Sequence, residues 1–280
     1  MKKILLPTDF SNNSFNAIKY AVQLFKDKEC EFILLNTFTP IVYRVEYMEI
    51  GAAQFGLLDA MRETSKEGLR NMQEKIETEF SNPKHTFTKR AAFNTLSAEI
   101  EDVCEKETID LIVMGTQGAT GLDEILFGSN TVHVIKNATC PLLAIPSKYE
   151  FTTPKEILFP SDYEIDFQEE QLQVIKNIVQ LYNSNLHFFH VSYREQLSEE
   201  QENSKQKLAM FFAAPSSSFR MVFNENVVDA IMEFQSENNI NIVTMINNKP
   251  SFFENLFFGS NINKIGFHIH IPFLVIPAKA

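Results

Sequence analysis

The sequence predicts an α/β protein made of two tandem parallel-sheet units, and three observations carry that prediction. Short apolar, β-branched runs alternate with stretches whose apolar residues recur at helical spacing, which is the pattern of a parallel sheet with helical crossovers. A glycine-bearing turn directly follows one of those runs, Leu111 to Met114. The second half of the chain repeats landmarks of the first in the same order. With 280 residues, 44% of them hydrophobic and 22% charged, the chain is long enough for two cores.

Residues 3–6 predict a first buried strand, closed by Pro7, with Thr8 and Asp9 at its carboxyl end. Ser11 then suits a helix N-cap, and Ile18, Ala21, Val22 and Phe25 give the following stretch a helical period. Phe32 to Asn36 predicts the second strand. From Thr37 to Gly56, Pro40 and the Tyr- and Met-bearing segment show no period, so a long surface connection is expected. Leu57 to Phe80 reads as the longest helix, stopped by Asn82 and Pro83. A strand over Thr86–Ala92, a helix over Thr95–Lys106, and a strand over Asp110–Met114 follow. The first half closes with a helix over Ser129–Lys136 and a strand over Leu142–Ile145.

The repeat is visible residue by residue. Residues 157–162 (ILFPSD) match 4–9 (ILLPTD), 257–261 (FFGSN) match 126–130 (LFGSN), and 271–277 (IPFLVIP) match 140–146 (CPLLAIP), which follows Thr139. A polar, proline-bearing linker near Lys148–Pro154 marks the division, giving units over 1–148 and 149–280. The copies differ at one place. Aligning Gly259 with Gly128 puts Ile246 where Gly115 stands and Lys249 where Gly118 stands, so a branched and a long cationic residue replace two glycines. Gly259 and Ser260 persist, and the second unit is expected to be degenerate as a site.

The glycine turn points to phosphate chemistry. Gly115 and Gly118 allow a ligand to approach the main chain without meeting a Cβ. Gly128 and Ser129 then stand where the next helix begins, so that exposed N–H groups, the positive end of the helix dipole and a hydroxyl converge on an anion. The phosphate loop ending in Gly-Lys-Ser/Thr is absent, and so is the dinucleotide-binding glycine pattern. The pattern present is G-x2-G-x9-G-S, from Gly115 through Gly118 to Gly128 and Ser129. It resembles the ATP-binding motif of the universal stress protein family, and the flanking runs 110–115 (DLIVMG) and 140–146 (CPLLAIP) resemble strands of that family.

The resemblance covers nearly the whole chain as a tandem. It implies two doubly wound domains, each a five-stranded parallel sheet of order 3-2-1-4-5 with helices on both faces. ATP would then lie at the carboxyl ends of the first and fourth strands, where the strand order reverses. By the same resemblance, Pro7, Thr8 and Asp9 flank the adenosine and Thr37 offers its backbone to adenine. Met114, Gly115 and Gly118 wrap the ribose and phosphates, and Gly128, Ser129, Asn130 and Thr131 hold the phosphate chain. Many relatives carry a basic residue between the first two glycines, whereas this chain has Thr116 and Gln117, with Asp123 and Glu124 further along. Mg2+ is therefore expected to accompany ATP and offset its charge. Family members often dimerise through the last strand. Here Leu142–Ile145 and Phe273–Ile276 are on one chain and can pair within it as an internal pseudo-dimer, with homodimerisation as a further option.

Composition excludes other classes. The net charge of -11 argues against nucleic acid or an anionic membrane as main partner. Cys30, Cys104 and Cys140 form no close-spaced pair, so neither a disulfide framework nor a thiolate zinc site is expected, and Cys104 reads as a small apolar helix residue. The apolar start is too short for a signal peptide and no run reaches membrane-span length, so a cytoplasmic location is expected. His187 and His190, three apart in a strand, point to opposite faces, and His268 and His270 have no carboxylate or thiolate nearby in sequence. Asp162 reads as a cap for the helix after it, in contrast to Asp9 beside the glycine turn. The apolar run Phe252, Phe253, Leu256, Phe257, Phe258 packs internally or meets another chain.

Three functions fit. The first is a regulatory, stress-response ATP binder whose nucleotide occupancy is read by protein partners, with no catalytic residues. The second is a slow ATPase or adenylyl-transferring enzyme using Asp9. The third is a nucleotide-free scaffold.

Overall fold

A computed structural model describes residues 1–39, 52–116, 128–164, 167–192, 196–212, 217–223, 226–247 and 270–277. The first half runs β1 (Lys2–Pro7), α1 (Asn12–Leu24), β2 (Cys30–Phe38), α2 (Ala52–Glu79), β3 (His85–Phe93), α3 (Leu96–Lys106), β4 (Leu111–Gly115), α4 (Ser129–Asn137) and β5 (Leu142–Ile145). The second runs β6 (Glu156–Pro160), α5 (Glu169–Tyr182), β7 (Asn185–Ser192), α6 (Glu199–Phe212), β8 (Ser217–Phe223), α7 (Val227–Glu237), β9 (Ile242–Asn247) and β10 (Phe273–Pro277). Helix α2 begins five residues before the predicted start, because Gly56 lies inside it rather than ending it. An added Cβ at Gly56 would meet nothing within 4 Å, and one exposed helical glycine costs only about 1 kcal/mol.

The strands form one sheet of order β3-β2-β1-β4-β5-β10-β9-β6-β7-β8. Each half is therefore a parallel 3-2-1-4-5 sheet, and the halves join where β5 and β10 pair antiparallel. The join is symmetric about Leu143 opposite Leu274, flanked by Leu142 with Val275 and Ala144 with Phe273. Both strands are apolar and buried, and their pairing covers an edge of each half-sheet.

Alternation along the strands divides the core into two layers. Ile4, Leu6, Phe32 and Leu34 face α1 and α2, while Leu5, Ile33 and Leu35 face α3 and α4. The second half continues both layers, with α5 and α6 on the first face and α7 on the other. His187 and His190 follow the same rule. His187 shares a hydrogen bond with Glu156 Oε2 at 2.7 Å and another with Ser218 Oγ at 2.8 Å, while His190 is buried on the opposite face against the Tyr163 ring. Two contacts tie helix ends across the halves. The Tyr182 hydroxyl donates to the Leu24 carbonyl at 2.5 Å, and Asn247 Nδ2 donates to the Ile135 carbonyl at 2.9 Å. No helix among the described residues is long and apolar enough to cross a membrane.

Candidate functional site

Strand β1 pairs with β2 on one side and β4 on the other, and the crossovers leave in opposite directions, opening a crevice at the strands' carboxyl ends. A cleft of about 240 Å3 occupies that crevice. Pro7, Thr8 and Asp9 enter it from the end of β1, Thr37 from β2, and Met114 and Gly115 from β4. The first turn of α4 and its cap supply Gly128, Ser129, Asn130 and Thr131. Gly118, Lys249, Gly259, Ser260, His268 and the apolar run 252–258 lie outside the described residues.

The floor of the cleft is built by local polar turns. Thr8 Oγ1 accepts the Phe10 N–H at 3.0 Å and shares a hydrogen bond of 2.9 Å with Ser14 Oγ. Asp9 Oδ1 accepts the Ser11 N–H at 3.0 Å, which leaves Phe10 in the left-handed region at φ 65°. The Phe10 ring then covers Gly68 of α2, where an added Cβ would sit 2.5 Å from it. Buried Asn36 locks the arrangement from β2. Its Nδ2 donates to the Thr8 carbonyl at 2.7 Å, and its Oδ1 accepts the Ser65 hydroxyl of α2 at 2.6 Å.

The opposite wall presents donors. The first helical bond of α4 runs from the Val132 N–H to the Gly128 carbonyl at 3.0 Å, so the N–H groups of Ser129, Asn130 and Thr131 have no intrahelical acceptor. No acidic residue stands in that first turn to compete with an anion. The Thr131 hydroxyl is committed elsewhere, donating to the Gly115 carbonyl at 3.0 Å and pinning α4 to the end of β4, which leaves the Thr131 backbone to face a ligand. The Gly128 N–H adds a second pin to the Thr116 carbonyl at 2.6 Å. Gly115 is closely packed, since a Cβ there would lie 3.2 Å from the Asn13 carbonyl oxygen, tighter than ordinary van der Waals contact. Among the described residues the lining contains no lysine or arginine.

The second half keeps the turn and changes the walls. Ser161 Oγ accepts the Tyr163 N–H at 3.0 Å, Asp162 Oδ1 accepts the Glu164 N–H at 3.1 Å, and Tyr163 is left-handed at φ 58°. Those bonds copy the ones at Thr8, Asp9 and Phe10. Asp162 thus holds its own turn and does not cap α5. The cap is Gln168, because α5 starts seven residues beyond Asp162 and outside its reach. By strand register His190 stands where Asn36 does, with Nδ1 at 2.9 Å from the Ser161 carbonyl. Register also makes Ile246 the equivalent of Gly115, and Ile246 is buried in the apolar core.

Ser14, Asn36 and Leu96 also line the first cleft, and the sequence reading omitted them. A polar Asn36 at the end of the apolar run 32–35 was the available signal, because a buried amide needs partners. Nothing in the sequence marked Ser14 or Leu96, which sit on regular helical spacing.

Fold and cleft together define a tandem doubly wound α/β protein with a crevice, lined by the first turn of α4, at the switch point of its first half-sheet. The model of the universal stress protein family matches residues 1–146, and the chain belongs to that family. Universal stress protein MJ0531 of Methanocaldococcus jannaschii is 34% identical over 152 residues, covering 51% of this chain and 81% of that protein. Universal stress protein MJ0577 of the same organism is 32% identical over 168 residues, covering 52% of this chain and 96% of that one. The crystal structure of a universal stress protein from Archaeoglobus fulgidus superposes with a TM-score of 0.66 at 20% identity, over 98% of this chain and 96% of that one, a likeness of fold.

Proposed function

We propose that residues 1–148 form an ATP-binding domain and residues 149–280 a degenerate companion, and that nucleotide occupancy is the signal a protein partner reads in the cytoplasm. One observation carries this reading. The N–H groups of Ser129, Asn130 and Thr131, which have no acceptor within α4, line a crevice in which Gly115 keeps the main chain bare. The residues suit the group: Thr37 and Leu96 offer a less polar end for adenine, while Gly128, Ser129 and Asn130 offer donors for phosphates. With no cation in the described lining, bound Mg2+ would supply the countercharge. Burial of Ile246 in the equivalent position supports loss of the site in the second half.

Acid extraction of the purified protein should release adenine nucleotide, and calorimetry on stripped protein should give one ATP site per chain that weakens when Mg2+ is chelated. Gly118→Lys, which copies the second half, should abolish binding and leave the circular dichroism spectrum unchanged. Retained affinity in that variant, or stripped protein that binds no ATP, overturns the reading.

A further inference from the structure

At the amino ends of β6, β7 and β8, away from the Ser161–Tyr163 turn, strand register sets three complementary side chains in a row. Ser218 of β8 stands directly beside His187 of β7. Glu156 opens β6 beside Asn185, which precedes His187 by two residues and so shares its face. His187 Nε2 lies 2.7 Å from Glu156 Oε2, and His187 Nδ1 lies 2.8 Å from Ser218 Oγ. Asn185 Nδ2 donates to the other carboxylate oxygen, Glu156 Oε1, at 2.7 Å and holds that group in place. The proton positions follow from the partners. A carboxylate only accepts, so Nε2 carries the hydrogen of the neutral ring, Nδ1 keeps its lone pair, and the Ser218 hydroxyl donates to it. The Phe234 ring of α7 meets the imidazole edge-on, with centroids 5.6 Å apart, and braces it from the helix side.

From this arrangement we infer that the second half carries an esterase site, with Ser218 as nucleophile, His187 as general base and Glu156 as the positioning residue behind it. Ser218 is exposed on the outermost strand of the sheet, so a substrate reaches Oγ from solvent, and an open site suits short acyl esters with good leaving groups. Oγ attacks the ester carbonyl carbon while His187 Nδ1 takes its proton, and the Nε2–H bond to Glu156 stabilises the imidazolium. Collapse of the tetrahedral intermediate breaks the bond to the leaving alcohol, which departs with the proton from Nδ1 and leaves the acyl group on Ser218. Water then attacks the acyl carbon and gives a proton to Nδ1. The acid departs as Ser218 recovers that hydrogen. Arg220, two residues along β8 and on the same face as Ser218, holds its guanidinium 5.4 Å from the Phe234 ring centroid, where its charge offsets that of the intermediate. The first half lacks the base, because register gives it Ile33 where the second has His187.

The test treats the whole folded chain with a fluorophosphonate and maps the labelled peptide. The label should fall on Ser218, and the urea-unfolded chain should take none. With p-nitrophenyl acetate, the folded chain should release a burst of nitrophenolate equal to the protein present and carry the acetyl group on Ser218. Ser218→Ala should lose both label and burst. His187→Gln should slow labelling about a hundredfold, the usual worth of a general base, and Glu156→Gln should slow it by less. In the parent the rate should rise from about pH 5 to 8, where histidines titrate, and in His187→Gln it should not. Circular dichroism identifies the variants that keep the fold, and the mapping of the parent needs no variant. A parent chain that takes no label, a label elsewhere than Ser218, equal labelling of the unfolded chain, or a rate at Ser218 unchanged in a folded His187→Gln would each overturn the inference.

Discussion

Asn247, the last residue of β9, donates through Nδ2 to the carbonyl of Ile135 at 2.9 Å, so the second half caps the helix whose first turn lines the cleft of the first. Ile135 lies in the last turn of α4, where carbonyls have no helical donor left. Asn247→Ala should lower stability by about 1 kcal/mol, the usual worth of one such bond. It should weaken ATP binding by a smaller factor than a change in the cleft, because α4 keeps its two pins at Gly115 and Thr116. Urea denaturation and calorimetry on one preparation separate the two effects.

Tyr182 performs the corresponding task at the end of α1, donating its buried hydroxyl to the Leu24 carbonyl. Tyr182→Phe keeps the ring packing and removes the donor. It should cost about 1 kcal/mol, read as a lower urea midpoint at unchanged slope, with ATP affinity within twofold of the parent. A tenfold loss of affinity would mean that this contact governs the cleft rather than the join between halves.

Gly115 is the position at which fold and proposed ligand make the same demand. A side chain there begins 3.2 Å from the Asn13 carbonyl oxygen, which belongs to helical backbone and cannot rotate away. Gly115→Val should destabilise by about 1–3 kcal/mol through overpacking and reduce ATP affinity more than tenfold. In the second half Ile246 is buried at this position, and α5 begins seven residues after Asp162, against three residues from Asp9 to α1. Thermal unfolding checks the first effect and calorimetry the second.

These positions also mark what a reader of the sequence could see. Strands of uninterrupted apolar residues, the ordered repeat and the glycine pattern each rest on local chemistry, so the fold and ten of the residues lining the cleft were legible; Gly118 lies outside the described residues. The bonds of Asn36 with Ser65 and of Asn247 with Ile135 were not, because each joins residues far apart in sequence, and a polar residue closing an apolar run signals a need for a partner without naming it. Asp162 misled because an aspartate after a strand ordinarily reads as a helix cap, whereas α5 starts later and brings Gln168 with it.

His85 gives the chain a pH dependence unrelated to any ligand. Its Nε2 lies 3.1 Å from the Phe25 carbonyl and its ring meets Phe32 edge-on at 4.9 Å, while Nδ1 is buried without a partner. Burial lowers its pKa from 6.5, against a smaller opposing pull from the Phe25 carbonyl. Below about 6.5 the unfolded chain takes up this proton more readily than the folded one, so stability falls as pH falls. The loss begins near the unfolded value and levels off once pH drops below the folded one. Urea midpoints measured from pH 7.5 to 5.0 should decline in the parent, and His85→Gln, which retains a side-chain donor for Phe25, should decline less steeply. Parallel curves for the two proteins would assign the acid sensitivity to other groups.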